Sequence, residues 1–402
     1  MKILSRWLTQ AKNGRALEAD RQPGESNSWS TLVVTHAELS SRHGTGALLA
    51  RILRHETHLV AFYSREFFES HDIEVAGFPI KNAGSEISGA RKQIRQLLEK
   101  RRIERILCVP FYEDEVRSAL AAREFSGAPL ALYIMDDQNI HVKEISDSLM
   151  RSLIRKANIC FGISPALCGA YEAKYQRKFW FIPPVADPDL FVPPDYHFTP
   201  NLPPHGILIG NLWSSHTLTQ FRDTVRSAGF RVDWYGNAGR PFIKLNPEEL
   251  AKEGIYLHAH VPEPALIASA RNSDFAVIPA GTLDGSDTHD WLARASLPSR
   301  IIYLMATANV PMIVMGHPET AAAQFVVDLG LGTACDYSAD SFSSAVKSVT
   351  TGAASAKIRS HARELSRNFS SEGLSDWLWE SASRGHAIDN RFEMLLPQKR
   401  SA

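Results

Sequence analysis

The chain carries no excess of either charge: lysine plus arginine and aspartate plus glutamate number 44 each in 402 residues. That removes the broad basic field by which a protein holds nucleic acid, so any anion must be caught locally by a few placed groups. Cysteine is scarce and scattered. Cys108, Cys160, Cys168 and Cys335 follow neither disulfide nor zinc spacing, and three lie in apolar runs. This fits packing thiols in a reduced, cytoplasmic chain and points to no metal site. Long apolar runs are missing too. The stretch from Met1 to Lys12, with Ile3, Leu4, Trp7 and Leu8 around Lys2 and Arg6, is too short for a signal peptide or a membrane span. Its helical spacing suits either docking on the protein's own body or peripheral contact with the inner face of a membrane. No internal repeat or low-complexity tract is evident.

What is present is an ordinary globular composition, 44% hydrophobic and 22% charged, in a chain longer than one core usually serves, so two domains are expected. From Thr31 short β-rich runs alternate with longer amphipathic ones, the pattern of βαβ units and a mainly parallel sheet. Strands are expected at 31–35, 58–62, 105–109, 130–135, 158–162 and 179–182, with helices at 47–55, 87–101, 113–125, 145–156 and 165–175. Residues 183–204 hold eight prolines, so neither helix nor interior strand persists there, and this is the expected interdomain linker. Strands resume at 206–210, 231–235, 255–258, 274–278 and 311–315, and the chain after Ser338 reads as helical to Arg384. The expected division is a first α/β domain over 1–190, a second over 203–369, and a C-terminal helical segment, 370–402, rejoining the first.

Five segments at strand-to-helix junctions can carry chemistry. His43-Gly44-Thr45-Gly46 places glycines where backbone N–H groups approach a ligand at a helix N-terminus, or where the chain merely turns. Asp136-Asp137-Gln138-Asn139-Ile140-His141 follows an apolar strand, at the sheet edge where open α/β folds bind ligands. There Asp137 and His141 can orient or deprotonate an acceptor hydroxyl; the structural alternative has Asp136 capping a loop and Asp137 starting a helix. In the run from Gly210 and Asn211 to His216, Ser214 or Ser215 reads as a helix cap whose neighbouring N–H groups face a diphosphate or only close the helix. Ser299 and Arg300 open a helix after Pro298, and the planar guanidinium suits phosphate oxygens better than any other charged group here, or stands as a surface arginine beside a helix start. Past His317-Pro318, Glu319 can accept from ribose hydroxyls, or merely complement the helix dipole, and Thr320 with the following N–H groups can meet a phosphate.

In this order, these segments resemble the retaining GT-B glycosyltransferases of the large family 4-like group, the glycosyl transferases group 1, over about residues 30 to 370. The resemblance lies in the glycine loop at His43 to Gly46 and in Ile163-Ser164 through Tyr171, Lys174 and Tyr175 to Ile182-Pro183-Pro184-Val185 and Phe191. It continues in Tyr235-Gly236, in His258 to Asp274, and in Leu297-Pro298-Ser299-Arg300 to Pro311. It implies a GT-B fold of two Rossmann-like domains facing a cleft. A nucleoside-diphosphate sugar would sit mainly on the second domain, and a glycan, glycolipid or small-molecule acceptor on the first. It further implies metal-independent transfer with retention, the leaving phosphate taking the acceptor proton. No cofactor beyond the sugar nucleotide is implied, and surface polysaccharide or glycoconjugate synthesis is the setting. Two family features are missing: the Arg and Lys after the first strand of the second domain, where Asn211-Leu212-Trp213-Ser214-Ser215-His216 stands, and the glutamate pair before the Gly-x-Pro turn. Arg300 or Arg240 can replace the cation, and Glu319 or Asp284 the carboxylate. The same departures keep open a non-catalytic nucleotide-sugar-binding subunit, and the same cleft serves epimerases and phosphorylases.

Overall fold

The computed structural model describes residues 30–40, 43–67, 75–80, 87–212, 214–236, 245–286 and 290–396. Arg240 and the N-terminal stretch through Lys12 lie outside them. The first domain runs β1 (Thr31–Thr35), α1 (Gly44–Ile52), β2 (Leu59–Tyr63), β3 (Ala76–Pro79), α2 (Ile87–Leu98), β4 (Arg105–Cys108) and α3 (Glu113–Ser126). It continues with β5 (Leu130–Ile134), α4 (Asp147–Lys156), β6 (Ile159–Gly162), α5 (Pro165–Tyr175) and β7 (Trp180–Phe181). All its strands pair in parallel in the order β3-β2-β1-β4-β5-β6-β7.

The second domain runs β8 (His205–Ile209), α6 (Ser215–Ala228), β9 (Arg231–Tyr235), α7 (Pro247–Lys252), β10 (Ile255–His258), α8 (Glu263–Arg271) and β11 (Phe275–Pro279). Then come α9 (Asp290–Ala295), α10 (Ser299–Ala308), β12 (Met312–Met315), α11 (Ala321–Asp328), β13 (Gly332–Cys335) and α12 (Ala339–Thr350). Its parallel sheet is ordered β10-β9-β8-β11-β12-β13. Both sheets reverse beside their first strand, and it is at such reversals that open α/β sheets leave a crevice at their carboxyl ends.

The central strands form because their residues are apolar or β-branched: β1, β5 and β11 are buried at every position, as a sheet covered on both faces requires. The strands that sequence reading omits are the edges β3, Ala-Gly-Phe-Pro, and β13, Gly-Thr-Ala-Cys. Both are largely half-buried and lack a β-branched apolar run, so backbone pairing to a neighbour makes them strands rather than any side-chain pattern.

After α13 (Gly352–Ser366) the chain crosses the linker, with the Ala186 amide donating to Phe369 O at 3.0 Å and the Ser371 amide to Ala186 O at 3.0 Å. The last helix, α14 (Leu374–Arg384), packs on the first domain. Trp377 lies 5.8 Å from both Phe161 and Phe392 between ring centroids. The Trp379 indole donates to Glu56 at 3.0 Å, and the opposite oxygen of Glu56 takes Arg105 at 2.6 Å. Among the described residues no helix is long and apolar enough to cross a membrane.

Candidate functional site at the facing sheet edges

Arg300 is the most exceptional group at the carboxyl edge of the second sheet. It lies in the first turn of α10, half-buried, and its guanidinium reaches back to the strand ends. One terminal nitrogen donates to Ile209 O at 3.2 Å and approaches Asn211 O at 3.5 Å; the other approaches Pro279 O at 3.5 Å. Nε is buried and has no hydrogen-bond partner among the described residues. Among the described residues no carboxylate pairs with it, so a full positive charge is held by carbonyl dipoles alone. Burial pulls its pKa down to about 10, which still leaves it protonated at neutral pH. Gly210 makes this approach possible: it has φ +95°, and a Cβ there would stand 3.2 Å from the guanidinium. A side chain would be strained by the backbone and crowded by the arginine.

The neighbouring candidates complete this edge. Ser214 caps α6, its hydroxyl accepting from the Thr217 amide at 3.3 Å. His216, in the first turn of that helix, meets Ser286 Oγ at 2.9 Å. The Asp284 carboxylate gathers Thr282 Oγ1 and the Ser286 amide, both at 2.9 Å, and these hydrogen bonds, with that of the Ser286 hydroxyl foremost, pull its pKa down to about 2. Thr320 is fully buried; its hydroxyl donates to His317 O at 2.9 Å and accepts from the Ala323 amide at 3.3 Å, so the capping role accounts for it. Glu319 is exposed and faces Arg294 at 3.6 Å. On the sheet's other wing, Tyr235 stacks on His258 at 4.4 Å and 9°, and His258 bonds Asp233 at 2.9 Å.

The first sheet's edge has a different character. Asp137 is 1% exposed and accepts from three amides, Asn139 at 3.0 Å, Ile140 at 2.7 Å and His141 at 2.9 Å. It therefore ties the loop after β5 rather than starting a helix, since α4 begins only at Asp147. His141 contributes its amide to that tie while its side chain is exposed. Asn139 extends the network through Lys174 at 2.8 Å and Asp147 at 3.0 Å. Gly46 serves packing: a Cβ there would lie 2.4 Å from Glu38 O. Gly44, by contrast, is exposed and looks across at Ser299, whose hydroxyl a Cβ would meet at 3.9 Å.

Two groups that sequence reading left without a ligand role also stand here. His36, one residue past β1, is 5% exposed, lies 3.7 Å from Phe111 between ring centroids and 3.4 Å from His43 between Nε2 atoms. Burial, then His43 and Arg65, hold it neutral with a pKa of about 2. Glu115 is fully buried at the start of α3 and accepts from the Phe111 amide at 3.0 Å; burial lifts its pKa to about 7. A titratable residue directly after a strand was the available signal for His36.

The two edges touch. Asp136 accepts from Ser296 Oγ at 2.8 Å, and Ser164, the cap of α5, donates to Ala295 O. Beside this seam Arg51 of α1 pairs with Glu263 of α8 at 3.0 Å.

Two parallel-sheet α/β domains meeting at their carboxyl edges define the GT-B fold. Solved structures share it: HepE of Anabaena, in complex with UDP and glucose, superposes with a TM-score of 0.63 at 13% identity, covering 88% of this chain and 99% of that one. A UDP-forming α,α-trehalose-phosphate synthase from Burkholderia vietnamiensis gives 0.59 at 12% identity, covering 90% and 98%. A UDP-N-acetylglucosamine 2-epimerase gives 0.51 at 11%, covering 88% and 95%. No family model matches the chain, and no curated protein sequence does.

Proposed function

We propose that the chain is a glycosyltransferase that moves a sugar from a nucleoside-diphosphate sugar to an acceptor hydroxyl, without a metal and with retention at the anomeric carbon. The observation that carries this is Arg300, a protonated guanidinium at the sheet edge with carbonyl partners and, among the described residues, no carboxylate. A diphosphate supplies the missing counter-charge and accepts from a planar fork of donors. As the bond to the sugar breaks, negative charge grows on the leaving diphosphate, and a cation fixed in advance stabilises it more than the ground state. Asn211, Ser214 and Ser299 border this position, and Gly44 leaves room for the donor opposite. Glu319, exposed and paired only with Arg294 among the described residues, is assigned to the ribose hydroxyls.

Retention is the outcome implied by the resemblance to the family 4-like enzymes, in which the leaving phosphate takes the acceptor proton. On this reading the first edge holds and orients the acceptor, and His36, kept neutral by burial at a pKa of about 2, is not the base. Because HepE is described with UDP and glucose, a UDP-sugar is the donor to test first. The experiment is incubation with UDP-sugars and a panel of glycan and glycolipid acceptors without metal, followed by mass spectrometry. A product heavier than the acceptor by one sugar is expected. Conversion of the UDP-sugar with no acceptor present would instead select an epimerase, and donor binding with no turnover on any acceptor would select a binding subunit.

A further inference from the structure

Residues 295 and 296 belong to the second domain, yet the first domain holds them. Asp136 takes the Ser296 hydroxyl at 2.8 Å and Ser164 donates to Ala295 O. Leu297, the next residue, is 3% exposed, so the connection from α9 to α10 is anchored just before the helix starts. Arg300 follows directly, braced against Ile209, Asn211 and Pro279 carbonyls. We propose that Asp136 is a positioning residue for the donor: by holding Ser296 across the cleft it fixes the start of α10, and with it the guanidinium that receives the diphosphate. Donor affinity then depends on the first domain being docked, although Asp136 itself need not touch the nucleotide. The identity of the ligand rests on the function proposed above; the mechanical link does not.

The sequence carries no sign of this contact, since 160 positions separate its partners. Asn at position 136 keeps an oxygen that can accept from Ser296, whereas Ala does not. For UDP measured by calorimetry, Asp136→Ala and Ser296→Ala are each expected to weaken binding about fivefold, the worth of one net hydrogen bond. The double variant should lose no more than either single one, and Asp136→Asn should bind within about twofold of wild type. Wild-type affinity in Asp136→Ala, additive losses in the double variant, or no rescue by Asn would each overturn the proposal. Amide hydrogen exchange of the ligand-free protein separates this link from the choice of ligand. Residues 299–303 should exchange faster in Asp136→Ala than in wild type or Asp136→Asn, and unchanged exchange would overturn the link even if UDP binds. If UDP does not bind but exchange responds as expected, the ligand assignment fails and the link stands.

Discussion

Asp137 and Arg300 both sit at the carboxyl edge of a parallel sheet, and their surroundings differ in kind. Asp137 is sealed, with three amide donors around one carboxylate; its charge is already answered by the chain that carries it. Among the described residues Arg300 is answered only by carbonyl dipoles at 3.2 to 3.5 Å. A half-buried charge without a counter-ion is costly to hold, and such a cost is retained where something outside the chain supplies the partner. By this contrast a charged residue in a cleft is read by what its polar atoms already hold, and under the proposed function the second sheet's edge is the one that takes an anion.

The largest expected effect comes from breaking the sealed side. Asp137→Ala takes the acceptor from three amides, one buried and two part-buried, and should lower the stability of the first domain by about 3 kcal/mol. Urea unfolding checks this, and Asp137→Asn, which keeps an acceptor, should lose less than half as much. The open side should behave inversely: Arg300→Ala is expected to weaken nucleoside-diphosphate binding by about 2 kcal/mol, roughly thirtyfold, while thermal stability stays level or rises. A fall in stability matching that of Asp137→Ala would erase the distinction between the edges.

Glu115 sharpens the contrast through pH. Burial raises its pKa from 4.5 to about 7, so the folded state binds a proton that the unfolded state has released between those values. Stability is therefore fully present below about 4.5 and declines as pH rises toward 7. Glu115→Gln should remove that slope and leave the protein about 1–2 kcal/mol more stable than wild type at pH 8, as followed by melting across pH 4.5 to 8. The smallest effect belongs to the exposed pair of Glu319 and Arg294: Glu319→Gln should change stability by less than about 0.5 kcal/mol. If the carboxylate takes ribose hydroxyls, the same change should weaken UDP binding about threefold, and calorimetry separates the two effects.

The alternation of strand and helix was legible because central strands are apolar or β-branched and helices between them are amphipathic; this yielded the two parallel-sheet α/β halves. The edges β3 and β13 were not, because their pairing is decided by the neighbouring strand. At the site, the cap at Ser214 and an arginine at the start of a helix could be read from local spacing, whereas the turn at Gly210 and the cap at Thr320 came from the structure. What local spacing cannot show is which oxygen meets which donor. Asp136 and Asp137 are adjacent and identical in chemistry, yet one crosses to the other domain and the other closes its own loop.

The central claim is that the second sheet's edge receives a nucleoside diphosphate on Arg300. The most direct test titrates wild type, Arg300→Ala and Asp137→Asn with UDP, GDP, ADP, dTDP and CMP in the absence of metal. Selective binding of one nucleoside diphosphate to wild type and Asp137→Asn, lost about thirtyfold in Arg300→Ala, is the expected result. Equal binding by all three proteins, or none by wild type, would contradict the claim.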